Sequence, residues 1–138
     1  MAEHLLRHWS AQRGLGLEVS SCGIAAEGWY EVPAVARRLL AAEGVPEFTH
    51  KARLATRDAL RGADLILAMT REHADHLTEH YPEFTARVRL LREHAGFGEA
   101  DVEDPMGRAD EVFARCLGVI KESLEALLRS EFRGLESA

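Results

Sequence analysis

The chain has 138 residues, enough for one domain with a single buried core. Its 46% apolar and 29% charged content is typical of a folded protein and excludes a disordered or low-complexity chain. A net charge of -6 argues against nucleic acid as the main partner, because that binding depends on clustered Lys and Arg. We therefore predict one folded domain over residues 1–138 and no nucleic-acid partner.

Membrane and redox signals indicate a cytoplasmic protein. No apolar stretch approaches the roughly 20 residues that cross a bilayer. The charged, histidine-containing start of the chain differs from a signal peptide. Cys22 and Cys116 match neither a CxxC nor a zinc-type spacing, so we expect reduced thiols. The sequence indicates no cofactor and no membrane partner.

The first third of the chain reads as two helices around a strand. Residues 2–13 place apolar side chains on one side of a helix that ends at Gly14. Residues 17–21 alternate in the manner of a strand and lead into a loop. Pro33 suits the first turn of a second helix, which closes at Gly44.

The middle of the chain begins with an extended piece and leads to a buried strand. The extended piece covers residues 48–54 and precedes Thr56, a good cap for a short helix that ends at Gly62. Residues 64–69, with the sequence DLILAM, form an apolar run. Such a run is long enough for a strand buried on both faces, as parallel sheets require.

The last third contains two more helices and one more strand. Thr70 is a good cap for a helix over 71–80, and Pro82 stops it. Residues 87–91, with the sequence RVRLL, read as a strand, and a glycine-containing loop follows. One long amphipathic helix over 109–129 completes the domain. Its predicted core positions are Phe113, Cys116, Ile120, Leu124 and Leu127.

Alternating strands and helices predict an α/β fold class. We expect three layers, with a parallel sheet flanked by helices on both faces. Only three strands are visible in the sequence, which is thin for this architecture. We therefore expect a four-stranded parallel sheet whose first, central strand is missing from the given sequence.

The strongest chemical signal is the loop DVEDPMG at residues 101–107. Pro105 favours an extended conformation at Asp104, which holds this residue outside regular structure with its carboxyl projecting. An acid in this position is suited to protonating a leaving group. A solvated acidic loop is the alternative, and the residue pattern alone favours it.

Three weaker signals come from histidines and a cysteine. His50, in the segment THKAR, is suited to holding a neighbouring loop by hydrogen bonds, although a surface connector is equally compatible. His73, His76 and His80 share one helical face without a nearby carboxylate or thiolate, which predicts a solvated face and no metal. Cys22 lacks the surroundings of a nucleophilic thiolate, so we interpret it as a small buried side chain at a strand end.

Taken together, the DP loop, the HKAR segment, the run DLILAMT and the order of elements resemble the low-molecular-weight protein-tyrosine-phosphatase family. The resemblance is nearest to the bacterial protein-arginine-phosphatase branch, because DPMG is similar to its DPFG. It implies hydrolysis of protein phosphotyrosine or phosphoarginine through a phosphocysteine intermediate. By this resemblance Asp104 is the general acid, and then the base that activates water.

The resemblance also implies supporting residues and reveals a departure. Ser21 and His50 are similar to residues that support the phosphate-binding loop, and Trp29 and Met106 stand at the pocket rim. Where the phosphotyrosine enzymes carry aromatic residues after the DP motif, this chain has Met106, so phosphoarginine is the favoured substrate. Family members open with a strand and a Cys-x5-Arg-Ser-Pro loop before a Met-Ala-Glu. This sequence begins at that Met-Ala-Glu, so we expect the chain as given to be inactive.

Two interpretations remain open. In one, the gene encodes an enzyme whose chain begins upstream, with a phosphoprotein or a small phosphate ester as substrate. In the other, the protein is a non-catalytic scaffold or interaction module. Loss of a central strand exposes sheet edges, so a homodimer is a further expectation.

Overall fold

A computed structural model of the protein describes residues 1–24 and 31–131. Within these ranges the chain forms two compact units. Unit 1 contains residues 1–21, 31–51 and 104–131, and unit 2 contains residues 22–24 and 52–103. The prediction of one domain over the whole chain stays a prediction.

Unit 1 is built from three helices: α1 (Ala2–Arg13), α2 (Ala34–Ala42) and α6 (Asp110–Glu131). Both α1 and α2 pack against α6. The predicted end of α1 is confirmed, because Gly14 has φ 64, a left-handed conformation that glycine adopts without steric cost. The predicted apolar stripe of α6 is also confirmed as buried: Phe113, Cys116, Ile120, Leu124 and Leu127.

Unit 2 is built around a two-stranded parallel sheet of β1 (Ile66–Ala68) and β2 (Val88–Leu90). Ile66 pairs with Val88 and Ala68 with Leu90. An isolated parallel bridge joins Gly23 to Leu54 in the same unit. The runs 64–69 and 87–91 are thus confirmed as parallel strands, each shorter than predicted. The α/β class is confirmed, with parallel pairing among the described residues confined to these strands and this bridge.

Threonine caps begin two helices of unit 2: α3 (Arg57–Arg61) and α4 (Arg71–His80). The Thr56 hydroxyl accepts a hydrogen bond from the Ala59 amide at 3.1 Å, and the Thr70 hydroxyl accepts one from the His73 amide at 3.1 Å. Each cap satisfies one backbone N–H that has no partner within its helix. Both predicted caps are confirmed.

The core of unit 2, which we call the apolar cluster, surrounds the two strands and the helices between them. Tyr81 and Ala63 pack against it, and the Tyr81 hydroxyl donates to the Ala55 carbonyl at 3.1 Å. Its buried members are Ala55, Leu60, Ile66, Ala68, Ala74, Leu77, Phe84 and Val88.

Two expectations about the elements are wrong. Residues 17–21 do not form a strand; within them the Leu17 amide donates to Ser10 Oγ at 3.0 Å, and the Val19 carbonyl accepts a hydrogen bond from Arg7. The expected stop before Pro82 is confirmed, since α4 ends at His80, and Pro82 begins a 3-10 helix, Pro82–Arg87. The loop expected after β2 starts instead with a short helix, α5 (Leu91–His94). Of the described helices, none has the length and apolar character to cross a bilayer.

Candidate active site

A group of polar side chains, which we call the polar cluster, lies in unit 1 and consists of Glu3, His4, Ser21 and His50. Glu3 and His4 come from the first turn of α1, whereas His50 lies on the segment after α2. The Ser21 hydroxyl donates to Glu3 Oε1. His4 Nε2 is 2.8 Å from His50 Nδ1, which in turn is 3.9 Å from Glu3 Oε1. Residues far apart in sequence therefore meet through their side chains.

Arg7 links α1 to the extended segment that carries Ser21. Its guanidinium binds Glu3 Oε2, one helical turn earlier, and also donates to the Val19 carbonyl. The Arg7 Nη1 atom lies 3.4 Å from His4 Nδ1. Both oxygens of the Glu3 carboxylate thus accept hydrogen bonds, and this fixes the orientation of the carboxylate within the cluster.

The His4 ring is held by stacking as well as by hydrogen bonding. It stacks on the Phe48 ring with centroids 3.8 Å apart and planes 17° apart. The Arg37 guanidinium lies 4.7 Å from the centroid of the same ring and donates to the Phe48 carbonyl at 2.8 Å. Since His50 lies two residues after Phe48, these contacts position the backbone that presents His50 to the cluster.

Burial sets the charge states of His4 and Glu3. It lowers the pKa of His4 from 6.5 to about 4; Glu3 opposes this shift, whereas His50, the amino group of Met1 and Arg7 add to it. For Glu3, burial alone raises the pKa, but hydrogen bonds from Ser21 and Arg7 outweigh it and the pKa falls below its ordinary value. Near neutral pH the cluster therefore pairs a charged carboxylate with a neutral His4 imidazole.

The loop that carries Asp104 forms a turn in unit 1. Asp104 is exposed, and its Oδ1 accepts a hydrogen bond from the Met106 amide at 3.0 Å. The Arg108 amide donates to the Pro105 carbonyl at 2.9 Å, and Gly107 adopts φ +74, which favours glycine. The loop thus presents the carboxyl of Asp104 and the half-exposed side chain of Met106 on a defined turn.

The segment just before this turn is anchored within unit 2. The Val102 amide donates to the carbonyl of Met69, the residue after β1, at 2.8 Å. Asp101 Oδ1 accepts a hydrogen bond from the backbone N–H of Arg71 at 2.8 Å, at the start of α4. The Arg71 guanidinium pairs with Glu99 at 2.9 Å and with Glu93 at 3.0 Å. The chain that enters the Asp104 loop is therefore fixed by both backbone and charge.

The two cysteines differ in their surroundings. Cys116 is buried on α6, as predicted, whereas Cys22 is exposed, so its interpretation as a buried side chain is wrong. Although Cys22 reaches solvent, the protein around it raises the pKa of its thiol by desolvation, and Arg53 opposes this shift. These surroundings do not favour a thiolate at neutral pH.

Comparison with known proteins identifies the family. The family model described as low molecular weight phosphotyrosine protein phosphatase matches residues 1–135. The chain belongs to this family. It is 28% identical over 130 residues to the protein-arginine-phosphatase of Bacillus subtilis (strain 168), covering 94% of this chain and 83% of that protein. It is also 28% identical over 123 residues to the low molecular weight protein-tyrosine-phosphatase Etp of Escherichia coli (strain K12), covering 89% and 79%.

Solved structures of the phosphatase family share this fold. A low molecular weight protein tyrosine phosphatase from T. tengcongensis superposes with a TM-score of 0.87 at 30% identity, covering 93% of this chain and 87% of that one. A mutant of YwlE arginine phosphatase gives a TM-score of 0.87 at 26% identity, covering 98% and 90%. The family assignment, its arginine-phosphatase branch and the α/β fold are thus confirmed.

The structure brings together some of the residues that the phosphatase resemblance singled out. Ser21 and His50 both belong to the polar cluster, whereas the hydrogen bond that Asp104 accepts is local to its own loop with Met106. Trp29 lies outside the described residues. No finding tests the roles expected for these residues, which stay predictions.

Sequence reasoning did not predict that His4 and Glu3 would join the cluster. One available signal was the position of His4 beside the buried Leu5, on a helix whose inner face is apolar. A second was an acid in the first helical turn, four residues before Arg7.

Proposed function

We propose that this chain carries the general-acid half of a protein phosphatase site, with Asp104 as proton donor. The observation that supports this most is the exposed Asp104 carboxyl, held on a turn in which its Oδ1 accepts a hydrogen bond from the Met106 amide. The family to which the chain belongs acts on phosphoproteins, as the names of its relatives state.

Asp104 has a different role in each of the two steps of the reaction. When a nucleophile attacks phosphorus, the bond to the leaving group breaks and a protonated Asp104 gives that group its proton. The resulting carboxylate then takes a proton from the water that hydrolyses the phosphoenzyme. A phosphorylated active-site serine in a mutant of YwlE arginine phosphatase supports a covalent phosphoenzyme in this family.

The family's Cys-x5-Arg sequence does not occur among the 138 residues of the chain. Neither cysteine begins a Cys-x5-Arg sequence, because Gly28 follows Cys22 at that spacing and Glu122 follows Cys116. We propose that the given polypeptide is therefore inactive and that Ser21 and His50 serve to support a phosphate-binding loop. A cytoplasmic location and a homodimer belong to the same proposal.

Phosphoarginine is the substrate that we favour. Sequence identity does not separate the two classes, because the arginine phosphatase of Bacillus subtilis and the tyrosine phosphatase Etp of Escherichia coli are both 28% identical to this chain. Met106, which is 43% exposed, follows the DP motif where phosphotyrosine enzymes carry an aromatic side chain. A flexible thioether offers less stacking to a phenyl ring, which reduces the preference for phosphotyrosine.

A two-part experiment tests this proposal. The given polypeptide, assayed on phosphoarginine and phosphotyrosine peptides, should show no turnover, and Cys22→Ser should change nothing. A fusion that adds a family strand and a Cys-x5-Arg-Ser-Pro loop before Met1 should gain turnover. In that fusion Asp104→Asn should reduce kcat by roughly 10²–10⁴-fold, and by less for p-nitrophenyl phosphate, whose leaving group needs little protonation.

Glu103→Gln is the matched control, since it removes one charge from the same loop and should leave kcat almost unchanged. Equal losses in both variants would mean that loop charge matters and proton donation does not. Turnover by the given polypeptide that disappears in Cys22→Ser would contradict the proposal. A folded fusion without activity would favour the alternative of a non-catalytic interaction module.

A further inference from the structure

Three side chains of the polar cluster, those of Glu3, His4 and His50, form a group that the proposed phosphatase reaction does not require. Glu3, His4 and His50 each present one nitrogen or oxygen atom within 4.8 Å of the others. His4 is 5% exposed, and the side chains of Glu3 and His50 are 11% and 15% exposed. Two imidazole nitrogens and one carboxylate oxygen are a ligand set found in zinc sites with an open position.

We propose that Glu3, His4 and His50 form a binding site for a divalent cation of the zinc class. This proposal goes beyond the phosphatase function and does not depend on it. The three residues lie in one unit of the chain.

The distances are close to those that a tetrahedral zinc ion imposes. With metal–ligand bonds of about 2.0–2.2 Å, neighbouring ligand atoms in a tetrahedron lie about 3.3 Å apart. The His4 Nε2 to His50 Nδ1 distance is 2.8 Å and the His50 Nδ1 to Glu3 Oε1 distance is 3.9 Å. Shifts of about 0.5 Å bring these two pairs to the metal geometry, and the third pair of ligand atoms, on His4 and Glu3, lies within 4.8 Å.

Metal binding requires one of the two imidazole rings to change its tautomer. Of the two facing nitrogens, His4 Nε2 and His50 Nδ1, one carries the hydrogen that the pair shares. Coordination needs a lone pair on both, so that ring moves its proton to its other nitrogen. The Glu3 carboxylate is already ionised near neutral pH and therefore releases no proton on coordination.

One neighbouring side chain favours cation binding at this site, and another disfavours it. The Ser21 hydroxyl donates to Glu3 Oε1 and would keep that oxygen oriented toward the metal, as hydrogen bonds to metal ligands do. Arg7 opposes the cation, because it adds a positive charge at Glu3 Oε2 and approaches His4 Nδ1 at 3.4 Å. Removing the Arg7 charge should therefore strengthen metal binding, which a purely structural hydrogen-bond network does not predict.

The test is titration of the reduced polypeptide with Zn²⁺ by calorimetry and with Co²⁺ by visible absorption. We expect one metal ion per chain and a Co²⁺ spectrum of tetrahedral nitrogen and oxygen ligation. His50→Asn and Glu3→Gln should each weaken binding by at least about tenfold, and Arg7→Gln should strengthen it. His50→Asn is preferred to a change at the buried His4, and circular dichroism would verify that each variant is folded.

His76→Asn is the matched control, because the rings of His76 and His80 on α4 stack with centroids 4.1 Å apart and are the competing histidine pair. Binding should persist in this variant. Binding that is lost in His76→Asn, or that persists at full strength in His50→Asn, would overturn the proposal. Absence of any stoichiometric binding of Zn²⁺ and Co²⁺ would overturn it as well.

Discussion

The apolar cluster of unit 2 and the polar cluster of unit 1 are assembled in different ways. The apolar cluster draws its buried members from one continuous stretch, residues 55–88. The polar cluster joins His4 to His50 across 46 positions of sequence. Apolar contacts are non-directional, whereas hydrogen bonds require aligned atoms. Local sequence therefore encodes the first cluster, and only the folded chain creates the second.

The two clusters should also respond differently to perturbation. Burial of each large apolar side chain contributes about 1.5–3 kcal/mol, and this contribution does not depend on protonation. A hydrogen bond contributes only about 1 kcal/mol net, but a buried polar group left without a partner costs about 1–3 kcal/mol. Truncation should thus damage the apolar cluster most, and acid should damage the polar cluster most.

The largest expected effect is the truncation of Phe84 in the apolar cluster. Phe84 is 6% exposed, so Phe84→Ala removes a buried ring and leaves a cavity. We expect the free energy of unfolding to fall by about 3–5 kcal/mol, measured by urea denaturation at pH 7. Phe97→Ala is the control: this ring is 38% exposed beside Arg92, and its loss should cost about 1 kcal/mol or less. Similar losses in both variants would contradict the role given to the cluster.

Local signals explain why most elements were predictable. The bounds of α1 and α4 were predicted because a glycine stop and a threonine cap act within one helical turn. Residues 17–21 alternate like a strand, but strand formation depends on a partner that alternation does not supply. The four residues of α5 are too few for a helical period to appear in the sequence.

The site was less predictable than the fold, for a physical reason. The sequence singles out His50 through its segment THKAR and Ser21 through resemblance to a family, and their separation gives no sign that they share a cluster. His4 and Glu3 read as part of a charged helical start, because a polar residue near the beginning of a helix is ordinarily solvated. Tertiary packing alone places them inside.

Acid should destabilise the polar cluster through His4, the second-largest effect. The unfolded chain protonates His4 near pH 6.5, whereas the folded chain does so only near pH 4. Between these two pH values the unfolded chain binds a proton at His4 and the folded chain does not. The contribution of neutral His4 to the free energy of unfolding is therefore fully present above pH 6.5 and is lost as pH falls toward 4. The shift corresponds to about 3 kcal/mol. Urea melts from pH 7 to 4, with a chelator present to keep the cluster free of metal, would measure it.

The groups that act on His4 are Glu3, His50, Arg7 and the Met1 amino group, so a variant at His4 is needed to isolate its contribution to the acid effect. His4→Gln should remove about 3 kcal/mol from the difference in stability between pH 7 and 4. An identical pH dependence in wild type and His4→Gln would show that His4 is not the sensitive group.

The smallest expected effect is the loss of the Thr70 cap of α4 in unit 2. Local sequence alone should determine how much this cap contributes to the free energy of unfolding. The Thr70 hydroxyl satisfies the His73 amide at the start of α4, so Thr70→Ala leaves that N–H to solvent. We expect a loss of about 1 kcal/mol in the free energy of unfolding, with most of it recovered in Thr70→Ser, which keeps the oxygen. Thr78→Ala, later in α4, removes a hydroxyl that donates to the Asp75 carbonyl within the same helix and should cost less. If Thr70→Ser were as unstable as Thr70→Ala, lost packing of the Thr70 methyl group, rather than the cap, would explain the effect.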